Sequence, residues 1–177
     1  MKHPWLNLIG FQLVWFGAVG GAAAGWWWAG PLVLVAFAAV QLGTGPRAAS
    51  DLRLMLACAL VGTAVDSAWV QLGWMHFASP VPWPGLAPVW IVAMWMGFAL
   101  TLDHSLAPLQ RRPWLGAVLG GVGGPLAYWG AERAWGAVTI DDAVAAYLGL
   151  AVTWAVLTPA LLQLATVLRP RALAVAS

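Results

Sequence analysis

The sequence predicts an all-α membrane protein, a bundle of six transmembrane helices with both termini in the cytoplasm. Of the 177 residues, 62% are hydrophobic and 8% are charged, whereas a soluble domain has roughly half and a quarter. Mean hydropathy is +0.82. Apolar runs recur along the chain, and basic residues sort to one side of them, which sets the expected orientation.

Six apolar runs stand between polar or Gly/Pro-rich links, and each is long enough to span a bilayer. Their predicted bounds are 5–24, 27–45, 52–73, 88–107, 114–135 and 143–168. Helices are expected because backbone groups in lipid must be hydrogen-bonded within their own segment, and no alternating strand pattern appears. No linker divides the chain, so residues 1–177 are predicted to form one domain.

The first run has an alternative interpretation. Lys2, the apolar stretch and "GGAAAG" resemble a secretory signal with a small-residue cleavage site. Asn7, Gln12 and Trp15 are unusual in such a signal, so we interpret the run as span one.

Glycine spacing in spans one and five predicts close helix contacts. Glycines recur at every fourth position in both, at Gly17, Gly21 and Gly25 and at Gly116, Gly120 and Gly124. Pro125 and Pro159 are expected to bend spans five and six. The link "HFASPVPWPGLAP", residues 76–88, cannot continue a helix and predicts a Trp-anchored cap on the outer surface.

Charge and tryptophan positions predict the orientation. The cytoplasmic side would carry Lys2, Arg47, Arg53, Arg111, Arg112, Arg169 and Arg171, with Arg133 opposite. An outer aromatic belt would contain Trp26, Trp27, Trp28, Trp74, Trp83, Trp90 and Trp135, with Trp5 and Trp114 at the cytoplasmic ends.

Ionisable residues within spans are the candidate functional groups, because they are costly there. At 1.5 Å per residue, Asp66 and Tyr128 lie about 21 Å from the cytoplasmic side and Glu132 about 27 Å, in an outer layer. His104, with Asp103 beside it, lies only about 6 Å from that side, in an inner layer. A direct pair between Asp66 and His104 is therefore not expected.

The inner layer could form a hydrogen-bonded cluster with Asn7, Gln12, Thr158 and Gln163. Asp103 could instead be an interfacial carboxylate balanced by Arg111 or Arg112. His104 could be a neutral imidazole satisfied by a neighbour, or a group for proton transfer or ligand binding.

Two interpretations of the outer layer are open. Arg133 could pair with Asp66 or with another carboxylate as a structural ion pair. Alternatively, Tyr128 and Glu132, four residues apart on one face, could oppose Asp66 as a site for proton transfer or cation binding.

Other site classes lack support in the sequence. Three scattered histidines and the single cysteine, Cys58, show no common metal-ligand spacing, and no cofactor motif is present, so neither a metal nor a cofactor is predicted. The isoelectric point near 9.2 reflects rim arginines, so nucleic-acid binding is not predicted.

Three motifs carry a resemblance to a known family. "DSAW" in span three, "TLDHSL" ending span four and "GGPLAYWGAERAWG" in span five resemble an uncharacterised family of small bacterial inner-membrane proteins, a domain of unknown function. The family motif usually reads Asn-His-Ser where this chain has Asp103, His104 and Ser105, which leaves His104 the stronger candidate. The family is often encoded beside fatty-acid-modifying enzymes, including cyclopropane-synthase-like methyltransferases, and this implies a lipid connection by association.

Three functions remain as hypotheses. The first is a lipid (fatty-acyl) modification enzyme, or the membrane partner of one, with an intramembrane polar pocket; its expected contacts are membrane lipids and a membrane protein partner. The second is a small proton-coupled transporter, although no inverted repeat is evident. The third is a non-catalytic scaffold or assembly factor. The candidate residues for chemistry are His104, Asp103, Asp66, Tyr128 and Glu132.

Overall fold

The computed structural model describes residues 4–44 and 47–169, which form six α-helices and one pair of short strands. The helices are α1 (Pro4–Ala23), α2 (Ala29–Thr44), α3 (Ala48–Gln71), α4 (Val89–Leu102), α5 (Pro113–Gly130) and α6 (Ala143–Leu168). A 3-10 helix (Ala107–Arg111) precedes α5, and a π-helical turn (Ala131–Trp135) follows it. Each predicted span thus contains a helix, although α4 ends at Leu102 instead of residue 107.

Several of these helices are suited to a bilayer. Among the described residues, α1, α3 and α6 are long and apolar enough to cross a membrane, which is consistent with a membrane protein. α2 and α4 are apolar but shorter. α5 and α6 both continue through an internal proline, Pro125 and Pro159, and the bends predicted there remain predictions.

The helices pack as three sequential hairpins, α1 with α2, α3 with α4 and α5 with α6. α4 also contacts α1, α2 and α6, so it occupies the centre of the bundle. Its side chains Trp90, Ala99 and Leu100 are fully buried. Val35 and Val156 are among many large apolar side chains on outer faces that stay exposed, which suits surrounding lipid better than water.

Five of the six glycines in the predicted rows mark close contacts within their own hairpin, whereas Gly25 lies beyond α1 with nothing within 4 Å of an added Cβ atom. A Cβ atom at Gly21 of α1 would lie 2.6 Å from the Cβ atom of Ala29 on α2. A Cβ atom at Gly120 of α5 would lie 2.2 Å from the carbonyl oxygen of Trp154 on α6. Only hydrogen in place of a side chain permits these approaches.

The end of the bundle away from Arg47 and Arg169, called the outer end below, contains a small two-stranded β-sheet that the sequence did not predict. β1 (Met75–Phe77) pairs antiparallel with β2 (Val138–Ile140), with Met75 opposite Ile140. β1 opens the predicted cap between α3 and α4, and β2 lies between α5 and α6. Three-residue strands far apart in the chain are too short to show a period of two, which explains why the sequence did not reveal them.

Of the seven tryptophans predicted for the outer belt, five are exposed, Trp74 is partly buried and Trp90 is fully buried. The exposed set comprises Trp26, Trp27, Trp28, Trp83 and Trp135. Trp90 was predicted for this belt but is fully buried, and its indole Nε1 donates to the carbonyl oxygen of Ala78, 2.9 Å away. The cap therefore covers Trp90, which belongs to the core.

Basic residues gather at the end of the bundle opposite the sheet. Arg47 and Arg169 contact the same residue there, while Arg133 lies in the turn next to β2. Two residues used to predict orientation, Lys2 and Arg171, lie outside the described residues.

Candidate functional site

Asp103 is the centre of an ionic cluster at the arginine-bearing end. The residue directly follows α4, and its side chain is 1% exposed. Arg47 Nη1 lies 3.0 Å from Oδ2, and the Arg169 guanidinium bonds Oδ1. Gln110 Nε2 donates to Oδ1 at 3.1 Å. Three separate segments of the chain therefore meet on one carboxylate.

The partners of Asp103 differ from those considered in the sequence. Arg111 and Arg112, the predicted counter-charges, are exposed and have no ion pair with Asp103, whereas Arg47 and Arg169 do. Burial raises the pKa of the Asp103 carboxyl, but hydrogen bonds from Arg169 and Gln110 and the charges of both arginines outweigh it and lower the pKa below 3.8. The hypothesis of an interfacial carboxylate correctly expected arginine partners, but it named the wrong arginines, and the carboxylate is buried instead of reaching water.

His104 forms a dyad with Asp51, which lies in the first turn of α3. His104 Nε2 lies 3.0 Å and 3.1 Å from the two carboxylate oxygens of Asp51, and that carboxylate is fully buried. The contact suits the tautomer with the proton on Nε2, because an ionised carboxylate only accepts hydrogen bonds. Nδ1 has no hydrogen bond to any described residue, and the side chain is 14% exposed. A buried carboxylate therefore orients the imidazole and leaves one ring nitrogen available.

Asn7 joins α1 to the same turn. Its side-chain oxygen accepts a 2.7 Å hydrogen bond from Ser105 Oγ, and its Nδ2 donates to the carbonyl oxygen of Leu100 at 2.9 Å. Nδ2 also lies 3.3 Å from Gln41 Oε1 on α2. The predicted place of Asn7 in the inner layer agrees with these contacts. We call Asp103, His104, Asp51, Asn7 and their bonded partners the inner cluster.

Three other predicted members do not bond Asp103 or His104. Gln163 donates to the backbone oxygen of Gln110 at 3.1 Å and reaches Asp103 only indirectly. The buried Thr158 hydroxyl has no hydrogen-bond partner among the described residues. Gln12 is exposed. Gln12 and Thr158 line a neighbouring cavity, whereas Gln163 is exposed and lies outside it.

This cavity, called the groove below, separates α1 from α5 and has a volume of about 540 Å³. Phe11, Trp15, Phe98 and Leu119 are typical of its apolar walls. Gly120, Gly123 and Gly124 of α5 also line it. Thr101 and Leu106, which flank the turn bearing Asp103 and His104, line it as well, so the groove approaches the inner cluster.

A separate outer cluster surrounds Asp66 on α3. The fully buried carboxylate accepts hydrogen bonds from Tyr128 of α5 and, at 2.7 Å, from Trp95 Nε1 of α4. None of the described arginines forms an ion pair with it. The shared depth predicted for Asp66 and Tyr128 therefore corresponds to direct contact. Trp95 also stacks on Trp154 of the groove at a centroid distance of 4.5 Å.

Glu132 does not oppose Asp66, contrary to one of the two predicted arrangements. It accepts a 2.9 Å hydrogen bond from the Tyr147 hydroxyl and lies 3.4 Å from Arg133. Of the two partners considered for Arg133, Asp66 is wrong, whereas a carboxylate at the rim agrees with the structure, since the exposed Arg133 pairs with Glu132. Glu132 is one helical turn beyond Tyr128 and falls in the π-helical turn, where the α-helical face is not continued.

The two clusters offer different chemistry. His104, held by Asp51 and open at Nδ1, has the arrangement of a proton-transfer group. Asp66 has two neutral donors and lies far from the surface. Sequence reasoning missed Asp51, Arg47, Arg169 and Gln110 as partners. The depth count that placed His104 about 6 Å from the rim also places Asp51, at the rim end of span three, within reach.

The fold and these sites define a small helical protein with helices able to cross a membrane and a buried polar cluster towards each end. The chain belongs to the family described as "Protein of unknown function (DUF2878)", whose model matches residues 4–160. Neither a curated protein nor a solved structure gives a significant match.

Proposed function

We propose that the protein is a six-span protein of the bacterial inner membrane, with its arginine-bearing end in the cytoplasm. Support comes from the positions of Arg47, Arg169 and the exposed Arg111 and Arg112 at one end, with Arg133 at the other. In this orientation the inner cluster faces the cytoplasmic leaflet and the β-sheet faces outward.

Within that membrane, the protein binds the acyl chain of a lipid in the groove. The observation that carries this proposal is the cavity of about 540 Å³ between α1 and α5, whose walls are mainly apolar. Sites of a few hundred cubic ångströms with apolar walls and few polar groups are typical of small-molecule sites. A groove among membrane helices is open to acyl chains, the most abundant apolar ligands there.

The protein acts on that lipid, or presents it to a partner enzyme, at the inner cluster. Thr101 and Leu106 line the groove on either side of the turn that carries His104 and Ser105. His104 would exchange a proton through Nδ1, and Asp51 would hold the ring. The exposed arginines at this end are suited to an anionic head group.

Lipid mass spectrometry tests the functional part of this proposal. Cells lacking the gene are complemented with wild type, His104→Gln, Asp51→Asn or the control His76→Gln at matched membrane levels. His76 lies in β1 at the opposite end and is exposed. We expect a lipid species to change on deletion and to be restored by wild type and His76→Gln, but not by the two dyad variants. An unchanged lipid profile in every strain contradicts a role in lipid modification.

Photo-crosslinking tests the groove itself. The purified chain in phospholipid nanodiscs is labelled with a photoactivatable stearic acid, and labelled peptides are mapped. Gly123→Leu should fill the groove and reduce labelling several-fold, because a Cβ atom there meets nothing within 4 Å. Gly43→Leu on α2 is the matched control, since Gly43 is equally open and lies outside the groove. Equal labelling in both variants rules out this acyl site.

A non-catalytic scaffold is the second candidate, and one observation favours it. Two arginines and Gln110 contact the Asp103 carboxylate. These contacts connect the end of α4 to the 3-10 helix and to the ends of α3 and α6. Such a network can serve packing alone. In that case the dyad variants should lose function only in proportion to their loss of folded protein.

A further inference from the structure

The groove contains an unpaired polar side chain at a depth where ordinary lipids are wholly apolar. Gln12 of α1 lines the groove, is exposed and makes no hydrogen bond to any described residue. It lies eight residues after Pro4, the start of α1, and thus about 12 Å along the helix. Half of a bilayer's hydrocarbon core is about 15 Å, so Gln12 lies inside the hydrocarbon of one leaflet, well below the level of the ester and head-group oxygens.

The other polar side chains that line the groove either have a partner within the protein or have their polar atom buried. The Thr101 hydroxyl bonds the carbonyl oxygen of Phe98 in its own helix. The Thr158 hydroxyl and the Trp154 indole nitrogen also lack partners, but both atoms are buried beneath the groove surface. Gln12 is therefore the polar group that a ligand in the groove would meet first.

We propose that the groove selects an acyl chain with a hydroxyl or keto oxygen near its middle, and that Gln12 is the residue that recognises it. This inference rests on the proposed acyl-binding function. A glutamine amide both donates and accepts hydrogen bonds, so a hydroxyl can bond it in either direction and a keto oxygen can accept from it. A saturated hydrocarbon chain would leave the amide without a partner in a medium that supplies none.

The position of Gln12 argues against a simpler ligand group. The ester and head-group oxygens of a lipid lie at the interface, near the start of α1, and about 12 Å separates that level from Gln12. Water is a poor substitute because the walls near Gln12 are apolar, including Leu8, Phe11 and Trp15. An oxygen carried partway along the chain matches this depth.

The test is competition against the photoactivatable stearic acid, with the full chain in phospholipid nanodiscs. The competitors are stearic acid, stearic acid with a mid-chain hydroxyl, and stearic acid with the hydroxyl beside its carboxyl group. We expect the mid-chain hydroxy acid to compete at about tenfold lower concentration than the other two, the effect of one hydrogen bond of about 1.4 kcal/mol. Gln12→Leu should remove that preference and still bind stearic acid.

The control is Gln71→Leu, the same substitution at the outer end of α3 and outside the groove. Equal competition by all three acids in wild type would overturn the selectivity and leave acyl binding intact. A preference that survives Gln12→Leu would overturn the role of Gln12. Absence of any labelling of the groove would instead contradict the proposed function itself, so the two failures are distinguishable.

Discussion

Asp103 and Asp66 are both almost completely buried, yet the protein satisfies them in different ways. Asp103 lies at the end of α4 and has two arginines, each with about a third of its side chain exposed. Asp66 lies within α3 and has only Tyr128 and Trp95 as hydrogen-bond donors. Near the end of the bundle, a long arginine side chain can place its guanidinium on the buried carboxylate and stay partly hydrated. Deeper in the bundle, neutral donors replace the counter-charge.

Removal of the Asp103 carboxylate should have the largest effect on stability. Asp103→Ala should lower the free energy of unfolding by about 3 kcal/mol, because it leaves two arginines without their shared counter-charge. This is the lower end of the range for buried pairs, since both arginines are partly hydrated. Unfolding in detergent micelles, followed by tryptophan fluorescence, measures the loss. A loss below about 1 kcal/mol would show that the cluster is an ordinary surface network.

The same residue should make part of the stability depend on pH. Its pKa in the folded protein is lowered below 3.8, so the stabilising contribution is present above 3.8 and is lost as pH falls through the folded value. The difference in unfolding free energy between wild type and Asp103→Ala should therefore shrink in acid. Unfolding at neutral pH and below 3.8 measures it; a constant difference contradicts the ion-pair account.

Removal of the Asp66 carboxylate should lower the unfolding free energy by less than removal of the Asp103 carboxylate. Asp66→Leu leaves the Tyr128 hydroxyl and the Trp95 indole N–H without their partner, and we expect a loss of about 2 kcal/mol. The double variant with Tyr128→Phe removes one of those orphaned donors and should recover part of the loss. No recovery would mean that the leucine is simply a poor fit in the site.

The smallest effect expected is that of Asp66→Asn. The amide oxygen can accept from Trp95, and the amide N–H can donate to the Tyr128 hydroxyl, so all three groups stay bonded. The unfolding free energy should change by less than about 1 kcal/mol. Asp103→Asn should cost more, because its amide N–H would face guanidinium and amide donors. If Asp66→Asn and Asp103→Asn lower the unfolding free energy by the same amount, the proposed difference between the clusters is absent.

The sequence predicted the parts of these sites that depend on depth. Counting along each span correctly placed Asp66 level with Tyr128 and placed Asn7 with the inner residues. The depth count could not assign Arg47 and Arg169 to Asp103. Several arginines lie at this end, and the rotation of the helices and the paths of the loops decide which of them reaches the carboxylate. Asp51 was missed because a charge at a span's first turn is usually hydrated. Glu132 was misplaced because a π-helical turn changes the face of α5.

The β-sheet at the outer end has a consequence for the order of assembly. β1 is synthesised before α4 and α5, whereas β2 follows both, so the strands cannot pair until α5 has been made. Tyr128 belongs to the same late segment, and Asp66 belongs to the early one. During synthesis, the Asp66 carboxylate therefore gains Trp95 only after α4 has been made and Tyr128 only after α5 has been made, and β2 follows both donors.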